Sequence, residues 1–509
     1  MNTAALRQLA VYAVILPLAV LIGWIISGDM TRTTFAVLAA IVFVLCLPLL
    51  LKWHYLVMVF SWNTYITIFF LPGQPGLWML MVGINFGLAI LNRIMQKRVA
   101  FFPAPSITIT LLLLLAVVVI TAKLRGGMGI QAFGDSTYGG KKYYFIFAAI
   151  LGYFAFASRA IPKEQIRLYV GLFFLPGLIS AGSTLIYLAG PAFYPLFLIF
   201  PVSFAAAQAS TDLSPGTISR VVGFSAAAPA VIFYLFGVHG IGGVLKKWWR
   251  PLLIILALIA GALGGYRSTL VIVGLVLAIL FVCEGLFRSP LFPLGLLLGG
   301  LGLAVLVPLA PNLPASIQRS LSFLPLKLDP IVRADAEGSI EWRVHIWQAL
   351  VPDLPKYYFL GTGFALNPTQ MYLTQEAMRR GLASGYEGAL VTQDFHSGPL
   401  SVYVPFGGLG SLAFLAFLVA SLRALYLNWR HGAEDVRVIN RFLFAYFCAR
   451  TIFYFFGFGS LYSDLYIFTG TVGLSVALNK GISRRTAPAP ASTPFRRNLP
   501  LRPARPGVA

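Results

Sequence analysis

The sequence predicts an all-α membrane protein that crosses the bilayer many times. Of its 509 residues, 58% are hydrophobic and only 11% are charged, and the mean hydropathy is +0.83. A soluble domain carries roughly 25% charged residues. Windows of about 20 apolar residues, the length needed to cross a hydrocarbon core of about 30 Å, recur along nearly the whole chain. We therefore expect about fourteen transmembrane helices, within a range of roughly 12 to 14.

Fourteen apolar segments are candidate spans. They lie at about 9–27, 33–51, 53–71, 77–91, 106–122, 143–158, 167–187, 218–238, 248–264, 268–286, 290–310, 399–425, 437–457 and 462–479. Residues 191–209 are also apolar, but Pro191, Pro195 and Pro201 interrupt them. This pattern predicts a re-entrant or interfacial segment in place of a further span.

Basic residues in the short loops predict the orientation, because Lys and Arg resist translocation. With both termini in the cytoplasm, almost every basic cluster falls on the cytoplasmic side. The exception is an expected external loop that contains Lys123, Arg125, Lys141 and Lys142. The net charge of +22 is thus explained by topology signals and contacts with lipid headgroups, and nucleic acid is not an expected partner.

Four regions follow from this topology. Residues 1–310 hold the first eleven spans, 311–398 form one large external loop, 399–481 hold the last three spans, and 482–509 form a basic, disordered cytoplasmic tail. Inside the loop, Ser339 is a candidate helix N-cap and the helix should end before Pro352. Arg343 lies one turn before Trp347 on that helix, a spacing that allows stacking.

The sequence offers no metal or cofactor site. Cys46, Cys283 and Cys448 lie in apolar runs without paired spacing, and the five His are scattered without an HxxxH pair. No nucleotide-binding motif with convincing context occurs. We expect metal-independent chemistry without a cofactor.

Four polar residues near the external boundary are candidates for chemistry. Arg220 opens a predicted span and is either a snorkelling interfacial residue or an anion ligand. Arg267 lies in an external turn after Gly264 and Gly265, where the topology rule disfavours cations, so an anionic partner is expected. Arg343 is a structural or a substrate-binding residue. His396, with Asp394 nearby, is a general base or a polar interfacial residue.

These residues occur in a recognisable order. Arg220 and Gly223 come first, followed by Arg267, Arg343 with Trp347, the motif Gly361-x-Gly363-Phe364, and His396 before Gly407, Gly408 and Gly410. The ordered set, over about residues 215–460, resembles the O-antigen ligase and polymerase superfamily. Two positions depart from the family pattern, since Ser397 replaces the usual Asn and Tyr266 the usual Ser.

The resemblance implies a C-type glycosyltransferase fold in the bacterial inner membrane, with the large loop in the periplasm. The donor would be a glycan on undecaprenyl pyrophosphate. Arg220 and Arg267 would bind the pyrophosphate, Arg343 would position donor or loop, and His396 would activate the acceptor hydroxyl. The acceptor, which is a lipid-core sugar, another repeat unit or a protein, stays open. A transporter or flippase of lipid-linked glycan is the rival interpretation.

Overall fold

The computed structural model describes residues 32–68, 71, 73–95, 104–129, 139–198, 200–213 and 218–484, with isolated positions between 16 and 27. Regular structure in these ranges is helical, apart from an isolated antiparallel bridge between Thr67 and Gly76. The predicted all-α class is confirmed. Most of the first expected span and the tail from residue 485 lie outside the described residues.

The described ranges contain eighteen α-helices, numbered here in chain order. They are α1 Arg32–Ser61, α2 Leu77–Met95, α3 Pro105–Arg125, α4 Gly140–Ala157, α5 Ile166–Phe174, α6 Ile179–Ala189, α7 Val202–Leu213, α8 Phe224–Leu245, α9 Trp249–Leu263, α10 Arg267–Cys283, α11 Leu291–Leu309, α12 Ala315–Ser320, α13 Pro330–Leu350, α14 Pro368–Arg379, α15 Gly385–Thr392, α16 Gly398–His431, α17 Arg437–Phe456 and α18 Leu461–Asn479.

Seven helical stretches of the described chain are long and apolar enough to cross a membrane. They are α2, α3, the stretch Lys163–Ala189 that contains α5 and α6, α8, Leu291–Asn312 with α11, α16 and α18. The apolar helices α9 and α10 are shorter. Helix α11 buries no residue and exposes leucines on all sides, as expected for contact with lipid. These features indicate a multi-pass membrane protein, and the count of about fourteen spans stays a prediction.

Two expected span boundaries are wrong. The expected break between the spans at 33–51 and 53–71 does not occur, because α1 continues through Lys52 to Ser61, and residues 62–68 are not helical. A single Lys is compatible with a helix interior and does not end it. The chain turns only after Ser61, where Asn63 donates to the carbonyl of Phe173 at 2.6 Å. The span at 218–238 begins later, at Phe224, so that Arg220 precedes the helix.

The Pro-rich segment after α6 contains a 3-10 helix, Pro191–Leu198, followed by α7. Helix α7 has 12 residues, about 18 Å at 1.5 Å per residue, which is too short for a hydrocarbon core of about 30 Å. The length of α7 favours the prediction that this segment is not an additional span. Its re-entrant or interfacial placement stays a prediction.

Helices α12–α15 and their connections, residues 315–397, form a unit that we call the cap. Its small core contains Ile346, Leu350, Ala389 and Phe395, which pack together with Val404 of α16. Helix α13 begins at Pro330, and the Asp329 carboxylate accepts from Ile331 N at 2.8 Å. The predicted N-cap at Ser339 is therefore wrong, because Asp-Pro provides an earlier helix start. The predicted end before Pro352 is confirmed.

Candidate functional site

Four arginines meet where the cap contacts the ends of the membrane helices. Arg220 precedes α8 and Arg267 begins α10, whereas Arg319 lies on α12 and Arg343 on α13. Arg319 lies close enough to the other three to interact with them electrostatically. We call this set the arginine cluster. The cap and the membrane helices each contribute two of its members.

Asp335 is the carboxylate at the centre of the arginine cluster. It forms an ion pair with Arg319 Nε, and its Oδ1 lies 4.0 Å from Arg220 Nη2. Arg319 Nη1 also donates to the carbonyl of Gly265 at 2.6 Å, which ties α12 to the turn before α10. Arg220, Arg267 and Arg319 interact with this one carboxylate, and Arg343 adds a further positive charge next to Arg319, so the cluster has an excess of positive charge. Such an excess favours a bound anion.

The Arg220 side chain lies across the turn that contains Gly265. Gly265 has a φ of +74°, and a Cβ there would lie only 2.7 Å from Arg220 Cδ, so this position requires glycine. The guanidinium lies 5.5 Å from the centre of the Tyr266 ring. Burial and the neighbouring Arg319 lower the pKa of Arg220. Its Nε is buried without a hydrogen-bond partner in the described chain.

Arg267 begins α10, where the positive end of the helix dipole adds to its charge. Its Nη2 donates to the carbonyl of Ala336 on α13 at 3.3 Å. A small cavity of about 140 Å³ adjoins it, lined in part by Arg333 and Glu337. Arg267 therefore contacts the cap directly and keeps further guanidinium donors for a ligand.

His396 lies in the turn between α15 and α16, close to the arginine cluster. Its φ of +48° is uncommon for a residue with a side chain and indicates a backbone held by its surroundings. The imidazole packs edge-on against Trp342, with 4.8 Å between ring centres, and at a tilt against Phe458, with 4.9 Å between ring centres. Phe458 also faces the Arg343 guanidinium at 6.0 Å. The general-base candidate and the cluster thus share one aromatic neighbour.

The surroundings of His396 favour its neutral form. Burial lowers the pKa of His396, Arg343 lowers it further, and Asp394, whose Oδ2 lies 3.8 Å from Nε2, acts in the opposite direction. The pKa of Arg343 is lowered in the same way, by burial and by Arg319. A neutral imidazole at neutral pH is able to accept a proton from a hydroxyl group.

The two glycine motifs dock the cap onto α16. Pro405 and Gly407 kink α16, and Gly407 has a φ of +67°. The kink leaves the carbonyls of Val404 and Pro405 free, and they accept from Thr362 N and Gly363 N, both at 2.9 Å. In return, Gly408 N donates to the carbonyl of Tyr358 at 3.0 Å. A Cβ at Gly361 would lie 2.1 Å from the carbonyl oxygen of Val404, so this close approach requires glycine.

Arg125 and Lys142, two of the four basic residues in the expected external loop, contact the cap. Arg125 Nε, at the end of α3, donates to the carbonyl of Gly361 at 3.0 Å. Lys142 Nζ, at the start of α4, donates to the carbonyls of Thr392 and Gln393 at 2.6 and 3.2 Å. Carbonyls at the end of a helix attract cations. Arg125 and Lys142 therefore have a structural reason to lie on the side of the cap.

The structure brings together all four predicted site residues, namely Arg220, Arg267, Arg343 and His396. The spacing of Arg343 and Trp347 allows stacking, but Arg343 faces Phe458. The Trp347 indole donates instead to the carbonyl of Phe395 at 3.1 Å, next to His396. Sequence reasoning missed Arg319 and Lys142. His345 lies against Tyr386, with 5.9 Å between ring centres, as a cap residue.

No known family model matches the chain, and a search of curated proteins gave no match. Among the described residues, no group of three or more His, Cys, Asp or Glu side chains is arranged to hold a metal ion. The expectation of metal-independent chemistry stays a prediction.

Proposed function

We propose that this protein is a metal-independent membrane glycosyltransferase of the O-antigen ligase type. It would transfer a glycan from undecaprenyl pyrophosphate to an acceptor hydroxyl at the outer face of a bacterial inner membrane, in the assembly of cell-surface polysaccharide. The observation that carries the proposal is the convergence of the arginine cluster with His396. An anion-binding group and a candidate base lie side by side at the end of apolar helices.

The chemistry assigns a role to each residue. Arg220 and Arg267 bind the pyrophosphate, Arg319 adds a third guanidinium, and Arg343 orients the donor beside His396. The bond between the anomeric carbon and the phosphate oxygen breaks, and the pyrophosphate leaves with the electron pair. The acceptor oxygen forms the new bond to this carbon while its proton passes to His396. Guanidinium groups stabilise the charge that develops on the leaving group.

The orientation in the membrane is part of the proposal. The cap faces the periplasm and both termini lie in the cytoplasm. Arg125 and Lys142 support this arrangement, because their contacts with the cap explain cations that the topology rule would otherwise oppose. Lys163 Nζ lies 3.3 Å from Asp435 Oδ2. This ion pair joins the loop before α5 to the loop before α17, and both loops contain basic residues that are expected on the cytoplasmic side.

A transporter of lipid-linked glycan is the more distant alternative. Transporters usually hold substrate near the middle of the bilayer. The ionisable residues Arg450 and Asp464 lie within apolar helices, but only six residues before the end of α17 and three residues after the start of α18. These offsets correspond to about 9 and 5 Å along the helices, well short of the middle of a core of about 30 Å. This position favours an enzyme whose site is at one face.

The test is transfer by the purified protein supplied with a polyprenyl-pyrophosphate-linked glycan. We expect His396→Ala to lower the rate by about 10²–10⁴-fold and Arg267→Ala to abolish detectable transfer, while both variants still insert into membranes. Full transfer by either variant would refute the site assignment.

The acceptor distinguishes the subclasses. In a deletion strain, long glycan that accumulates on the lipid carrier indicates a ligase, whereas single repeat units indicate a polymerase. Loss of glycan from a protein would indicate a protein-glycosylating relative. We expect the ligase result.

A further inference from the structure

A cavity of about 390 Å³ lies within the membrane helices, directly next to the arginine cluster. Tyr266, which faces Arg220, and Phe458, which faces His396 and Arg343, both belong to its lining. The volume falls within the range of about 300–1,000 Å³ for small-molecule sites. The cavity therefore adjoins both the anion-binding groups and the candidate base.

The cavity combines one positive and one negative charge. Arg450 of α17 and Asp464 of α18 both line it. Arg450 Nε donates to the Tyr446 hydroxyl at 3.2 Å, and Asp464 Oδ2 accepts from Ser460 N at 2.8 Å. Neither bond uses the terminal nitrogens of Arg450 or the second carboxylate oxygen of Asp464. Ionisable groups within apolar helices are costly and usually functional.

The rest of the lining contains aromatic rings and hydroxyl groups beside small and aliphatic residues such as Ala226 and Ala230. Tyr65, Phe204 and Tyr466 contribute rings, whereas Ser268 and Thr269 contribute hydroxyl groups. Ring faces pack against the C–H groups of a sugar, and the carboxylate, guanidinium and hydroxyl groups hydrogen-bond its hydroxyls. The balanced charges of Arg450 and Asp464 suit a neutral ligand better than a phosphate. A sugar ring matches this combination of groups.

We infer that this cavity binds the sugar residue attached directly to the pyrophosphate of the donor. The inference rests on the proposed function and extends it by naming the part of the donor that the membrane helices recognise. With the pyrophosphate on the arginine cluster, the first sugar would enter between Tyr266 and Phe458. Its anomeric carbon would then lie between the leaving group and the base. Arg450 and Asp464 would select the sugar.

The test compares two lipids, undecaprenyl pyrophosphate and the same lipid carrying one N-acetylhexosamine. Their affinities are measured for wild-type protein in nanodiscs and for two variants. Asp464→Asn keeps the shape of the side chain and its bond to Ser460 but removes the charge. Ala226→Leu fills part of the cavity, because Ala226 lines it. Ala278→Leu, on an exposed position of α10, is the matched control for added volume.

We expect the wild type and Ala278→Leu to bind the sugar-bearing lipid at least tenfold more tightly than the sugar-free lipid. Asp464→Asn and Ala226→Leu should lose this preference and keep the affinity for the sugar-free lipid. Unchanged preference in both variants, or no preference in the wild type, would overturn the inference while leaving the proposed function intact. Failure of the wild type to bind either lipid would overturn the proposed function itself.

Discussion

The arginine cluster and the cavity beside it share Tyr266 and Phe458 as neighbours but differ in charge and in construction. The cluster has an excess of positive charge and is assembled from both the cap and the membrane helices. The cavity is lined by both Arg450 and Asp464, which balance in charge, and by no residue of the cap. Under the proposed function, the two regions would have different tasks. The cluster would bind a charged group and depend on the docked cap, whereas the cavity would bind a neutral group without residues of the cap.

The largest expected effect comes from Arg319, which holds the two halves of the cluster together. Arg319→Ala removes the ion pair with Asp335 and the bond to Gly265. This pair is only partly buried, so its loss should cost more than that of an exposed pair, at about 0–1 kcal/mol, and less than that of a fully buried one, at about 3–5 kcal/mol. We expect a clear fall in the thermal midpoint of the purified protein and weaker binding of undecaprenyl pyrophosphate.

The control for Arg319 is Arg333→Ala, which breaks the exposed pair with Glu337 on α13. Exposed pairs contribute about 0–1 kcal/mol, so its thermal midpoint should remain close to that of the wild type. Equal midpoints for Arg319→Ala and Arg333→Ala would show that Arg319 does not hold the cap in place.

A smaller effect is expected from Lys142, which positions the turn before His396. Lys142→Met removes hydrogen bonds of a charged donor to Thr392 and Gln393, worth about 1.5–3 kcal/mol. We expect kcat to fall about tenfold with the KM for the donor unchanged, because the base moves while the arginine cluster stays. Lys142→Arg should restore part of the activity.

Lys141→Met is the matched control, since Lys141 is the exposed neighbour on the same helix. It should behave like the wild type. A rise in donor KM for Lys142→Met, or an equal fall in kcat for Lys141→Met, would contradict the positioning role.

The smallest expected effect is a shift in pH dependence. Because the pKa of His396 is lowered, kcat/KM should rise as pH increases and His396 loses its proton, with a midpoint below 6.5. Arg343→Ala should move the midpoint upwards, because a lowering charge is removed. Asp394→Asn should move it downwards, because a raising charge is removed. Shifts in the opposite directions would exclude His396 as the titrating base.

The apolar runs of the sequence predicted the helical class. The grouping of Arg220, Arg267, Arg343 and His396 was predicted from their common external position and from the order of motifs that resembles the O-antigen ligase and polymerase superfamily. The sequence did not indicate Arg319, which lies among other charged residues of the cap and is distinguished only by its tertiary partners Asp335 and Gly265. A local signal did exist for Arg450 and Asp464, since both are ionisable residues inside predicted spans.

The error in residues 53–71 has a different cause. Hydropathy registers that Tyr65–Ile68 and their neighbours are apolar, but not that the chain turns after Ser61 and forms the bridge between Thr67 and Gly76. This turn positions Asn63 and Tyr65 in the cavity lining. The apolar residues after Ser61 therefore contribute to the cavity, and no periodic pattern in the sequence distinguishes them from a membrane span.

The central claim is that the arginine cluster of cap and membrane helices binds a polyprenyl pyrophosphate. Its most direct test is the Kd for undecaprenyl pyrophosphate, measured for the wild type, Arg267→Ala, Arg343→Ala and the exposed cap control Arg379→Ala. Loss of a charged hydrogen bond of about 1.5–3 kcal/mol predicts at least tenfold weaker binding for each cluster variant and an unchanged Kd for Arg379→Ala. Cluster variants that bind as tightly as Arg379→Ala would contradict the claim.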